Sequence, residues 1–179
     1  MGIKMSINRS KLSGFTLFAA LLLCFALCFC SCVREVEDTE GALTCTLSVS
    51  ASTLVGNGGA SSEVTALIPE GGYLFAPAEV EFSSGESVFD VLSRELTKAG
   101  IHFEFSETPA FNSKYIEGIG NIYEFDGGEL SGWMYSVNGE FPNVGASAYM
   151  LCDGDVVKWE YTCDLGRDLG ADFGSESAA

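Results

Sequence analysis

Two runs of aromatic and β-branched residues, 133–137 (WMYSV) and 156–162 (VVKWEYT), flank turns rich in Gly, Asn, Asp and Pro. Such runs fit pleated strands, and the punctuation between them fits tight turns. Residues two apart in a strand share a face, so Trp133, Tyr135 and Val137 form one row and Val157, Trp159 and Tyr161 another. Upstream, Leu43, Cys45, Leu47 and Val49 alternate with Thr and Ser, the pattern of a half-buried strand. Residues 56–62 (GNGGASS) read as a loop or turn, 65–68 are ambiguous, and 79–82 form a short strand leading into a turn at 83–85. Val88, Val91, Leu92, Leu96 and Ala99 recur at helical spacing and predict one amphipathic helix over 87–99. Ser84 or Ser87 caps its start, Glu86 and Asp90 suit its positive end, and Gly100 suits the C′ position. Residues 101–105 then alternate as a strand, 108–121 are irregular, and 122–125 form a further short strand. Asp153-Gly154 reads as a hairpin turn.

The order is two strands, one helix, then three or more strands, without internal repeat. One helix buries its stripe against one face of a mixed sheet, which predicts a two-layer α+β domain. The same order occurs in β-grasp folds, where a sheet wraps around a single helix.

The chain begins differently. Lys4, Arg9 and Lys11 precede an apolar run over 15–29, a positively charged n-region and an h-region of signal-peptide type. Ser31 before Cys32 resembles the lipidation box of bacterial lipoproteins, although Phe29 and Cys30 stand where Leu and a small residue are usual. The alternative is an uncleaved membrane anchor, since the stretch to Val33 approaches the ~20 apolar residues of a spanning helix. Met1 to Ser6 fit a myristoylation pattern, which the export segment behind them discounts. The expected organisation is a signal peptide at 1–31, lipidated Cys32 with an acidic tether to 41, a folded domain at 42–166 and a flexible tail at 167–179. The domain is then held at the extracellular face of a bacterial cell membrane.

Charge and cysteines narrow the chemistry. Removing 1–31 takes three of nine basic residues and none of the 25 acidic ones, leaving six bases against 25 acids, net −19. That excludes nucleic acid as a partner, because binding phosphate needs clustered Lys and Arg. No calcium loop occurs, and no Cys-x-x-Cys pair or nearby His completes a zinc set, so no metal site is expected. Of the seven cysteines only Cys45, Cys152 and Cys163 lie in the domain; Cys45 with Cys163 is the preferred disulfide, and Cys45 with Cys152 stays open. No nucleophile elbow, phosphate loop or H-E-x-x-H motif is present, and His102, the single histidine, sits in an alternating strand. No feature points to an enzyme or a catalytic cofactor.

The segments GESVFDVL (85–92), YIEGIGNIYEFDGGELSGWMYSVNG (115–139) and DGDVVKWEYTCDLG (153–166) resemble the transcobalamin-like C-terminal domain family, DUF4430. That resemblance implies the small β-domain of the vitamin carriers intrinsic factor and transcobalamin. In those carriers cobalamin is clamped between this β-domain and an α-helical barrel, and no such barrel is present here. Carried over by position, Trp133, Tyr135, Asn138, Phe141 and Pro142 become ligand-binding candidates. The row of Val157, Trp159 and Tyr161 is expected to be core. The implied function is capture of cobalamin or a related corrinoid for uptake, beside the membrane component of an energy-coupling-factor transporter. The alternative is a structural or adhesive surface module that recognises protein or glycan.

Overall fold

The structure is a computed structural model that describes residues 42–56, 59–108 and 113–171. The expected signal peptide at 1–31, lipidated Cys32, the tether to 41 and the last part of the expected tail, 172–179, lie outside the described residues. In order come β1 (Leu43–Ser50), α1 (Ser62–Thr65), β2 (Tyr73–Phe82), α2 (Val88–Ala99) and β3 (Phe103–Thr108). They are followed by β4 (Ser113–Ile119), β5 (Ile122–Tyr123), β6 (Gly132–Val137) and β7 (Val156–Thr162). The class is α+β, with one long amphipathic helix. The strands divide into two sheets rather than one.

The larger sheet has the order β2-β1-β7-β6. β1 pairs antiparallel with β2 and parallel with β7, and β6 pairs antiparallel with β7, so the sheet is mixed. β1 and β7 are the two inner strands, which explains the burial of Leu47, Val49, Val157, Trp159 and Tyr161. The smaller sheet, β3-β4-β5, is antiparallel. Ile116 and Ile119 of β4 and Ile122 of β5 enter the same hydrophobic cluster as the larger sheet and α2.

Helix α2 begins with a capping box. Ser87 Oγ accepts from the Asp90 N–H, and Asp90 Oδ2 accepts from the Ser87 N–H at 2.9 Å. Gly100 ends the helix with φ 69°, a left-handed conformation that glycine adopts without a Cβ clash. Val88, Phe89, Val91, Leu92 and Leu96 are buried, each burial contributing roughly 1.5–3 kcal/mol for side chains of this size. Ala99, expected in the stripe, is exposed because it lies beyond the last buried turn.

Three differences from the sequence reading have physical causes. β2 runs from Tyr73 rather than 79, through Pro77; it is an edge strand, and the register jump between Leu47–Ala78 and Val49–Phe75 places a bulge around that proline. β4 occupies residues expected to be irregular: its Gly118 breaks the alternation but leaves room for the Tyr123 ring, which a Cβ would approach to 2.5 Å. Asp153-Gly154 does not close a hairpin. It turns the chain into β7 alongside β1, with the Gly154 N–H donating to Thr44 O at 2.7 Å and Asp153 Oδ1 accepting from the Thr44 N–H.

The parallel register also corrects the disulfide. Cys45 precedes Thr46, which is level with Val156, whereas Cys163 lies beside Thr53 at the other end of the strands. About eight residues at ~3.3 Å each separate them, far beyond the Cα separation a disulfide spans. Cys45, Cys152 and Cys163 are all free thiols. Burial, followed by the charge of Asp155, pushes the Cys45 thiol up to about 11. Residues 167–171, where the expected tail starts, hold a 3-10 turn (Arg167–Leu169), and Asp168 accepts from the Cys163 N–H at 2.7 Å.

The capping box sets a pH dependence. Partial burial disfavours the Asp90 carboxylate, but the Ser87 hydroxyl and N–H outweigh it and hold the carboxyl below its ordinary value. This stabilisation is present above the unfolded-state value of about 3.9 and is lost as pH falls through the lower folded value. Ser87→Ala is expected to lower stability by about 1 kcal/mol at pH 7. Denaturant melts should find that deficit shrinking as pH falls through the folded-state value of Asp90, below which the wild-type box is itself protonated.

Candidate functional site

Between β6 and the first half of β4 lies a groove of about 630 Å³, roofed by the loop at 141–148. Each wall follows from local sequence. β6 ends in a two-residue turn with Asn138 at φ 54° and Gly139 at φ 86°, and Val137 and Glu140 exchange backbone hydrogen bonds across it. Asn-Gly is the preferred pair where both central residues need positive φ. The chain then leaves the ladder at Phe141-Pro142 and crosses over the aromatic face of β6 and β7.

The roof is tied down at several points. The Val88 and Phe89 N–H groups, helix-terminal donors without intrahelical partners, donate to Tyr149 O and Ala146 O at 3.0 and 3.1 Å. Ser147 Oγ accepts from the Lys114 N–H, and the Tyr135 hydroxyl donates to Val144 O at 2.6 Å. Gly145 packs against Ser113 so closely that a Cβ would fall 1.6 Å from the serine Oγ. The roof therefore hangs on both α2 and β4.

Four of the five candidate residues line this groove: Trp133, Tyr135, Phe141 and Pro142. Their roles differ. Trp133 is 5% exposed, donates Nε1–H to Ile122 O at 2.9 Å and meets the Tyr161 ring edge-on, so it is chiefly a core residue. Tyr135, Phe141 and Pro142 are half-buried and form the accessible rim. Burial, with the neighbouring Tyr149, pushes the Tyr135 phenol up to about 12. Asn138 is not among the lining residues. Its Nδ2 donates to Asp155 Oδ1 and its Oδ1 accepts from the Val156 N–H, which locks the β6 turn onto β7.

The two aromatic rows do not divide into core and grip. Trp133 is opposite Tyr161, Tyr135 opposite Trp159 and Val137 opposite Val157. Directly opposed residues share a face, so both rows look the same way. Trp159, expected as core, is buried and also lines the groove. Lys114 and Tyr115 also line the groove, from a segment whose sequence pattern reads as irregular; the tyrosine beside alternating Ile116 and Gly118 is the signal that marks it as a strand.

The groove is electrostatically unlike the rest of the chain. Among the described residues no Asp or Glu lines it, although the chain carries 25, and the one charged side chain there is Lys114. The Lys114 ammonium lies 4.4 Å from the Phe89 ring centroid and 5.3 Å from that of Phe105, within cation–π range. His102 is elsewhere, hydrogen-bonded to Glu104 on an exposed strand. Among the described residues no cluster of three or more His, Cys, Asp or Glu is placed to hold a metal ion.

Two substitutions separate core from rim. Trp133→Ala is expected to cost about 3–5 kcal/mol in denaturant melts, the range for a buried aromatic. Phe141→Ala, at the half-buried rim, should cost less than about 1.5 kcal/mol.

Comparison with known proteins agrees with this architecture. Residues 85–163 match the family model described as a domain of unknown function, DUF4430. No curated protein matches the chain. Among solved structures, haptocorrin in complex with Cbi superposes with a TM-score of 0.51 at 16% identity, over 75% of this chain and 29% of haptocorrin. The chain thus spans less than a third of that carrier. A candidate metal-binding protein from Ruminococcus gnavus ATCC 29149 aligns over 67% of this chain and 96% of its own, with a TM-score of 0.39 and 15% identity. The groove-bearing segment, from the turn before α2 to the end of β7, is thus similar to DUF4430, and the fold around it is similar to part of haptocorrin.

Proposed function

We propose that this chain is a non-catalytic binding protein that captures a corrinoid in the groove between β4 and β6. The observation that carries this reading is the groove itself: about 630 Å³, walled by aromatic and aliphatic side chains, with no carboxylate among the described residues that line it. That volume is within the ~300–1,000 Å³ of small-molecule sites, which combine apolar walls with a few polar groups. A corrin is broad, largely apolar on its faces and rimmed by amides, so Tyr135, Phe141 and Pro142 suit its face and loop backbone groups suit its rim. The fold shared with part of haptocorrin, which was solved with Cbi, supports the same ligand class.

The reading extends to architecture and setting. The order β2-β1-β7-β6, with parallel inner strands and one long helix, supports a β-grasp domain. This domain would supply one jaw of the clamp. The other jaw would come from a partner such as the membrane component of an energy-coupling-factor transporter. Lipid attachment at Cys32 on the extracellular face would keep the domain close to such a partner and raise the local ligand concentration.

Calorimetric titration of the full-length chain in detergent with cobinamide and cyanocobalamin tests the reading. Saturable binding is expected, weakened about tenfold, or 1.4 kcal/mol, by Tyr135→Ala or Phe141→Ala. No heat from folded protein at several hundred micromolar corrinoid would overturn it.

A further inference from the structure

The chain has two tryptophans, and their indole N–H groups are treated differently. Trp133 donates to Ile122 O. Trp159 is 3% exposed, and its Nε1 is the one fully buried side-chain nitrogen or oxygen among the described residues without a hydrogen-bond partner. Buried donors are nearly always paired, because leaving one unpaired forfeits its hydration with nothing in return. Ring packing alone does not require a donor at this position, since a phenylalanine would fill an inner strand without that penalty.

Its surroundings say what the donor is for. Trp159 lines the groove. The half-buried Tyr135 ring lies against it, centroid to centroid 5.4 Å and tilted 33°, and meets the Tyr149 ring edge-on at 6.3 Å. Tyr135 is held there by its hydroxyl bond to Val144 O in the roof. That hydroxyl contact is at an exposed position, so water can replace it when the ring moves. Among the described residues no groove-lining carboxylate competes for a donor or repels an electron-rich ligand atom.

We infer that Trp159 is a specificity-determining residue, donating its indole N–H to a carbonyl oxygen on the rim of the bound ligand. Entry of the ligand shifts Tyr135 off the indole and exchanges the Val144 contact for solvent. The groove thus selects, among flat apolar molecules, those with a peripheral amide or ketone oxygen. This rests on the groove being the ligand site, and it adds the chemical class of group that the floor of that site accepts.

Two-dimensional ¹H–¹⁵N spectra of the full-length chain in detergent, titrated with cobinamide, test the inference. With only two tryptophans, Trp159→Phe and Trp133→Phe assign both indole signals. In the free protein the Trp159 signal is expected upfield, as for an unbonded indole, and to move downfield on binding while that of Trp133 stays. Trp159→Phe should bind cobinamide about tenfold more weakly, with unchanged or raised melting temperature. A bonded, unmoving Trp159 signal while Phe141 resonances shift would overturn the role of Trp159 and leave the groove reading standing. Equal affinity of Trp159→Phe and wild type would do the same. If no resonance moves at millimolar cobinamide, the groove reading fails and takes this inference with it.

Discussion

The parallel pairing of β1 with β7 is the constraint on which the rest depends. It joins the first strand of the domain to the last, and everything between must be accommodated around that seam. Because the two strands run in the same direction, the intervening chain has to cross over, and α2 makes the helical part of that crossing. Its buried stripe fills the space above Leu47, Val49 and Val157. The seam is fastened at both ends by polar contacts: Asp155 O accepts from the Thr46 N–H at one end, and the Thr53 hydroxyl donates to Tyr161 O at the other.

Tyr161 links this seam to the smaller sheet. Its ring is fully buried, yet its hydroxyl lies within hydrogen-bond distance of Ser131 Oγ, accepts from the Gly127 N–H and donates to Tyr123 O. A buried phenol so thoroughly partnered incurs no desolvation debt, and it fixes β5 and the loop before β6 relative to β7. Burial, partly offset by the Ser131 and Gly127 bonds, holds its pKa above the ordinary tyrosine range. The contrast with Trp159, two residues earlier on the same face, is informative. One polar aromatic is satisfied by the fold, and the other is left for something outside it.

Legibility in the sequence followed the type of signal. α2, with both caps, was readable because its spacing, serine, aspartate and glycine all act within a few residues. β1, β6 and β7 were readable from alternation and aromatic content. The second sheet was not, because β4 depends on Gly118 yielding space to Tyr123, a cross-strand relation that one-dimensional periodicity cannot register. Parity correctly placed Trp133 with Tyr135 and Trp159 with Tyr161. The facing of one row relative to the other depends on strand register, a relation between residues twenty or more positions apart in the chain. Asn138 falls outside the groove lining for a related reason: its hairpin geometry and its bonds to Asp155 and Val156 turn its side chain onto the start of β7.

Copies of this domain brought close together would hold many sheet edges side by side. In the larger sheet the β6 edge faces the groove and the small sheet, so among the described residues β2 is the edge left open to other molecules. Pro77 withdraws one amide from that edge, the bulge beside it breaks the flat ladder, and exposed Glu79 and Glu81 line the remainder with like charge. A second copy arriving edge-on meets a missing donor, a kink and two carboxylates rather than a template. The departure from ideal strand geometry at Pro77 thereby protects the protein against strand-to-strand aggregation, independently of anything it binds.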